Sequence, residues 1–260
     1  MGKVVSIHSF RGGTGKSNVC ANLAAQAALA GHRVAIVDTD IASPGIHVLF
    51  GLDENNMGRT LNEYLSGGCS IQEVAYPVGE QSNAEEGCKK LAGKSLWLIP
   101  SSIKGADISK VLKEGYDIMT LNKGFRGLQR ELNLDYLFID THPGLNEETL
   151  LSFAITDILV VILRPDQQDF QGTAVTVDIA RSLDVPNLKL LVNKIPSRYN
   201  LEQARREIGQ RYDCAVIGAL PLSEDLADLG SKDLFSLRYP NHPWSHQLRQ
   251  AADAILTTAG

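Results

Sequence analysis

Short apolar runs punctuate the chain at residues 4–8, 33–38, 95–99, 136–140, 158–163, 188–193 and 215–220, each of a length suited to a strand. Those within 136–140 and 158–163 show no apolar–polar alternation, as expected of strands covered on both faces. Between the runs, apolar residues return every three or four positions, which predicts helices at 18–30, 168–183, 201–212 and 244–256, with helical patterns in most of the other gaps. Strands alternating with helices predict an α/β fold. It would be a doubly wound, mostly parallel sheet flanked by helices, with any ligand bound at the carboxyl ends of the strands. No internal repeat is present, and one domain over 1–260 is expected. The rhythm breaks at 78–94, where Gly79, Ser82, Asn83, Glu85, Glu86, Gly87, Lys89 and Lys90 give a polar stretch that reads as a variable insert.

Composition narrows the picture. A chain of 260 residues, 43% hydrophobic, can bury about three quarters of its unfolded surface in one α/β core. No apolar run approaches the ~18 residues that span a bilayer, and a strand begins almost at once, so neither a membrane span nor a signal peptide is expected. A net charge of −5 gives no global attraction to nucleic acid or anionic lipid. The cysteines Cys20, Cys69, Cys88 and Cys214 lie far apart without a C-x-x-C pair, which fits free thiols in a cytoplasmic protein without a metal cluster.

The chemistry begins where Phe10-Arg11-Gly12-Gly13-Thr14-Gly15-Lys16-Ser17 joins the first strand to an Ala-rich helix opening at Asn18. Glycines let backbone N–H groups converge on phosphate oxygens where a Cβ would intrude, and the helix N-terminus adds partial positive charge. Lys16 offers a mobile cation for β- and γ-phosphates, and the Ser17 hydroxyl can ligate Mg²⁺. The strict P-loop pattern would place its first glycine at Phe10. The stretch instead resembles the deviant Walker A loop of the ParA/MinD ATPases, Lys-Gly-Gly-x-Gly-Lys-Ser/Thr, with Arg11 at the position of that group's signature lysine. Two further segments continue the resemblance. Asp38-Thr39-Asp40 is similar to the Asp-x-Asp of switch I, implying that Asp38 lies near the Mg²⁺ shell and Asp40 orients the attacking water. Asp140-Thr141-His142-Pro143-Gly144 ends an apolar strand and resembles Walker B followed by switch II, implying Asp140 as a Mg²⁺ ligand. His142 stands where relatives commonly carry Pro or Ala. At the end of a later strand, Asn193 resembles a base-recognition residue whose amide would read adenine, with Pro221 beside the base.

The resemblance implies a single deviant Walker A P-loop ATPase domain with Gly12, Gly13, Thr14, Gly15, Lys16, Ser17 and Asn18 around the nucleotide, and ATP and Mg²⁺ as cofactors. It also implies a slow ATPase that dimerises with ATP sandwiched between subunits and positions or partitions a cargo. Arg11 would reach the partner's nucleotide, its planar fork spanning two phosphate oxygens. An activating or cargo protein is implied but not named. The last helix carries Leu248, Ala252 and Ile255 on one stripe with Arg249 as its cation, which reads as core packing and argues against direct membrane binding. Arg198, Arg205, Arg206 and Arg211 keep non-specific DNA binding open, although Glu202 and Glu207 interleave with them. An ATP-dependent ligase or synthetase of the same branch, or an accessory metal-insertion ATPase, is the alternative; basal ATPase activity without a small-molecule acceptor separates a ligase from a switch.

Overall fold

A computed structural model describes residues 2–80 and 84–258. Its described residues form one eight-stranded sheet: β1 (Lys3–His8), β2 (Val34–Asp38), β3 (Tyr76–Pro77), β4 (Leu96–Ile99), β5 (Tyr136–Asp140), β6 (Ile158–Leu163), β7 (Leu188–Ile195) and β8 (Ala215–Pro221). The order is β3-β4-β2-β5-β1-β6-β7-β8, parallel throughout except for β3, which runs antiparallel to β4 at the edge. The doubly wound, mostly parallel sheet expected from the apolar rhythm is therefore what forms. All seven predicted strands are present. β3 escaped the sequence reading because it is two residues long and contains Pro77, which only an edge strand tolerates.

Alternate side chains of each strand feed opposite faces. Val5, Ile7, Ile36, Phe138 and Val160 pack with the helix α1 (Lys16–Leu29) and the final helix (Pro243–Leu256). Val4, Ala35, Val37, Leu137 and Ile139 pack on the other face, against Leu121, Phe125 and Leu128 of the helix Ile118–Glu131. Leu159, Val161, Leu190 and Val192 meet the helices Gln167–Ser182 and Leu201–Tyr212. Each fully buried Leu, Ile or Phe contributes about 1.5–3 kcal/mol. Helix α1 is Ala-rich because it is enclosed: Val19 to Ala25 are all inaccessible, and small side chains let it nest between sheet and final helix. The final helix buries Leu248, Ala252 and Ile255, the stripe read from the sequence as core, together with Trp244. No helix among the described residues is long and apolar enough to cross a membrane.

Within 78–94, Ser82 and Asn83 lie outside the described residues. Its described part is anchored: Val78, Ala84, Cys88 and Leu91 are buried in the main core, and the buried carboxylate of Asp233 accepts from the Gly87 and Cys88 N–H groups at 2.8 and 2.9 Å.

Candidate functional site

The strands β2, β5 and β1 are neighbours, so Asp38, Asp140 and the loop after His8 end side by side at the carboxyl edge of the sheet. The loop turns on Gly13 (φ +77°) and Gly15 (φ +87°), backbone states that side-chain-bearing residues rarely adopt. At Gly15 there is also no room, since a Cβ would come within 2.7 Å of Asn193 Nδ2. Gly12 and Gly13 are exposed, Ser17 and Asn18 half-buried, and Thr14 is buried. Asn18 accepts from Asn22 Nδ2 at both its carbonyl and its side-chain oxygen.

Lys16 is 6% exposed and its Nζ lies 2.5 Å from Asp140 Oδ1. Burial alone would lower its pKa, but the carboxylates of Asp140, Asp40 and Asp38 overcome this and raise it, so the ammonium stays charged. Asp38 is inaccessible and accepts from the Asp40 and Gly45 N–H groups at 3.0 and 3.3 Å. Burial, then the charge of Asp140, pushes its pKa well above the usual carboxylate range. Asp140 Oδ2 is buried without a hydrogen-bond partner. The two buried carboxyl groups thus oppose each other's ionisation, which favours a proton on Asp38, and Asp140 keeps an unused acceptor.

Asp40 Oδ1 sits 2.7 Å from His142 Nδ1. This contact joins the two switch-like segments and was not legible in the sequence. Beneath them, the Thr141 hydroxyl donates to Ile7 O at 3.0 Å, leaving its oxygen to accept from His8 Nδ1 at 2.9 Å. Burial, with the nearby positive charge of Lys16, holds the His8 pKa down to about 3, so the ring is neutral. Arg11 Nη1 lies 3.5 Å from Asp169 Oδ1 and 3.8 Å from Asp166 Oδ1, at the start of the helix Gln167–Ser182 in its own chain. Asn193 is 2% exposed, and its amide faces the loop: Nδ2 donates to Thr14 O at 2.8 Å and Oδ1 accepts from Lys194 N at 2.9 Å. A purine contact by Asn193 would have to use the remaining donor and lone pair. Pro221 ends β8, paired with Ile195 of β7.

Of the four arginines considered for DNA, Arg205 donates to Val216 O at 2.7 Å and Arg211 lies 4.7 Å from the centre of the Phe170 ring. Arg206 is exposed.

Residues 2–190 match the model of a family described as AAA domain. An uncharacterised ATP-binding protein of Methanocaldococcus jannaschii is 26% identical over 98% of this chain and 88% of its own. An iron–sulfur cluster carrier protein of Rickettsia conorii is 26% identical over 89% of this chain, which spans only 65% of that protein's length. The septum site-determining protein MinD of Pyrococcus horikoshii, solved with Mg-ADP, superposes with a TM-score of 0.79 over 100% of this chain and 98% of its own. At 19% identity that likeness is one of fold. With the family model covering most of the chain, this protein belongs to the AAA domain family, among the ParA/MinD-like P-loop ATPases.

Proposed function

We propose that the chain is an ATP-driven switch that binds Mg-ATP, hydrolyses it slowly, pairs with a second copy across the nucleotide and so positions or partitions a cargo. One observation carries the reading: a buried lysine paired with a buried aspartate at the mouth of a glycine loop, with a second buried carboxylate beside them. Lys16 is the cation for the β- and γ-phosphates, and the loop N–H groups from Gly12 to Ser17 complete the cradle. Mg²⁺ fits the donor set. Asp140 Oδ2 lacks a partner and Asp38 is crowded by like charge. Mg²⁺ takes only one or two carboxylates beside phosphate and water oxygens. Ser17, Asp140 and Asp38 would hold or surround it, and when bound it would neutralise phosphate charge. Asp40 is the carboxylate that aligns water, and His142 holds it by a short contact. Asn193 and Pro221 border the side where the base would lie.

The test is equilibrium binding of labelled ATP, with phosphate release followed in the absence of any small-molecule acceptor. Lys16→Ala is expected to weaken binding about 100-fold or more, because it removes a desolvated charge contact. Asp40→Ala is expected to keep ATP while turnover falls by about 100-fold or more. Unchanged affinity in Lys16→Ala would reject the site.

A further inference from the structure

Where β7 passes the loop, its ladder to β8 is irregular. Val192 pairs with Ala219 and Ile195 with Pro221, so Asn193 and Lys194 together stand against Leu220 alone. Such a bulge re-aims a side chain. Lys194 also sits at φ +59°, a left-handed state unfavourable for a residue with a side chain and retained where surrounding structure enforces it. The result is specific: Lys194 Nζ donates to Gly13 O at 2.8 Å, next to the bond from Asn193 Nδ2 to Thr14 O. Two successive carbonyls of the loop are thus held from one strand end.

Peptide planarity turns that into a statement about the phosphate cradle. The Gly13 carbonyl shares its plane with the Thr14 N–H, and the Thr14 carbonyl with the Gly15 N–H; in a trans peptide the two groups point in opposite directions. Fixing the carbonyls toward β7 fixes those two N–H groups away from it. We infer that Lys194 is a positioning residue of the phosphate loop. Its ammonium sets the Gly13–Thr14 peptide so that the Thr14 N–H faces the bound anion, and it adds a second positive charge beside Lys16. This rests on the nucleotide reading of the site. The bulge and the left-handed residue are the backbone arrangement that brings the ammonium there.

The experiment is calorimetric titration of the full chain with Mg-ADP, alongside turnover at saturating ATP and amide hydrogen exchange in the loop. Lys194→Met is expected to raise the Kd about tenfold, the scale of one lost charge-assisted contact, with kcat changed less than about twofold. Exchange at Thr14 and Gly15 should speed up. Lys194→Arg, which keeps a cationic donor, should bind within about threefold of the parent. Lys194→Gly relieves the left-handed backbone but loses the amine, so it should bind as poorly as Lys194→Met. Affinity in Lys194→Gly equal to or above that of the parent would show that only the backbone matters and would overturn the inference. Parent-like affinity in Lys194→Met would overturn it too, while leaving the nucleotide site intact. Absence of Mg-ADP binding by the parent chain would remove both.

Discussion

His8 is the residue at which burial has a direct thermodynamic consequence. The ring is neutral in the fold, with a pKa held down to about 3 by burial and then by Lys16, while in the unfolded chain it returns to about 6.5. A base with a depressed folded pKa contributes no penalty above pH 6.5. As pH falls through 6.5 toward 3, the unfolded chain takes up a proton that the fold refuses, and stability is lost. Between pH 7 and pH 5 this one group should remove about 2 kcal/mol. His8→Gln keeps a polar side chain and abolishes the titration, so its denaturant-derived stability should fall by about 2 kcal/mol less than the parent's over that interval. Equal losses in the two proteins would mean that His8 is protonated in the fold or already neutral when unfolded. Other groups titrate in both chains and cancel in the comparison.

At the scale of elements, the sequence was legible where the signal is contiguous. The seven apolar runs became strands because each carries mostly buried side chains into the sheet, and residues 10–17, 38–40 and 140–144 could be placed together because a parallel sheet delivers strand ends to one edge. What could not be read were contacts between distant segments: Arg11 with Asp169, His142 with Asp40, and Lys194 with Gly13. Phe10 is another such case. Its ring lies against Gly172 in the middle of the helix Gln167–Ser182, where an added Cβ would come within 2.0 Å of Phe10 Cδ1 and 2.3 Å of Cγ. A mid-helix glycine is unfavourable by about 1 kcal/mol relative to alanine. Here hydrogen is what lets the loop dock on that helix. Gly172→Ala should therefore be destabilising despite its better helix propensity, by up to about 2 kcal/mol once the propensity gain is set against the overpacking, and it should weaken nucleotide binding by displacing Phe10 and the glycine loop that follows it. Adding Phe10→Ala should recover stability but not affinity. A thermal melt in which Gly172→Ala exceeds the parent would refute this docking.

For the whole molecule, the proposed dimer requires Arg11 to leave the carboxylates of its own chain. Arg11 is 38% exposed and paired with Asp169 and Asp166, and Asp169 is shared with Arg164. The pair with Asp166 is exposed on both sides and worth about 0.2–1 kcal/mol; the pair with Asp169, whose side chain is 3% exposed, is long at 3.5 Å, and Arg164 remains on that carboxylate when Arg11 leaves. Two phosphate oxygens in a closed interface offer a stronger, bidentate contact. The cis pair is thus a weak hold that a partner's nucleotide can outbid, and this orders the expected variants. Asp40→Ala, retaining unhydrolysed ATP, should be a persistent dimer in ATP and a monomer in ADP. Arg11→Ala should bind nucleotide as a monomer with near-parent affinity and fail to dimerise; Arg11→Lys should restore most of the dimer, since an ammonium keeps the charge. Asp166→Asn, which removes the more exposed of the two carboxylates, should favour the ATP dimer about two- to threefold. Size-exclusion chromatography with light scattering, in ATP and in ADP, measures each of these. If Arg11→Ala dimerises in ATP as readily as the parent, Arg11 plays no part across the interface, and its ion pairs with Asp166 and Asp169 serve only to fix the loop.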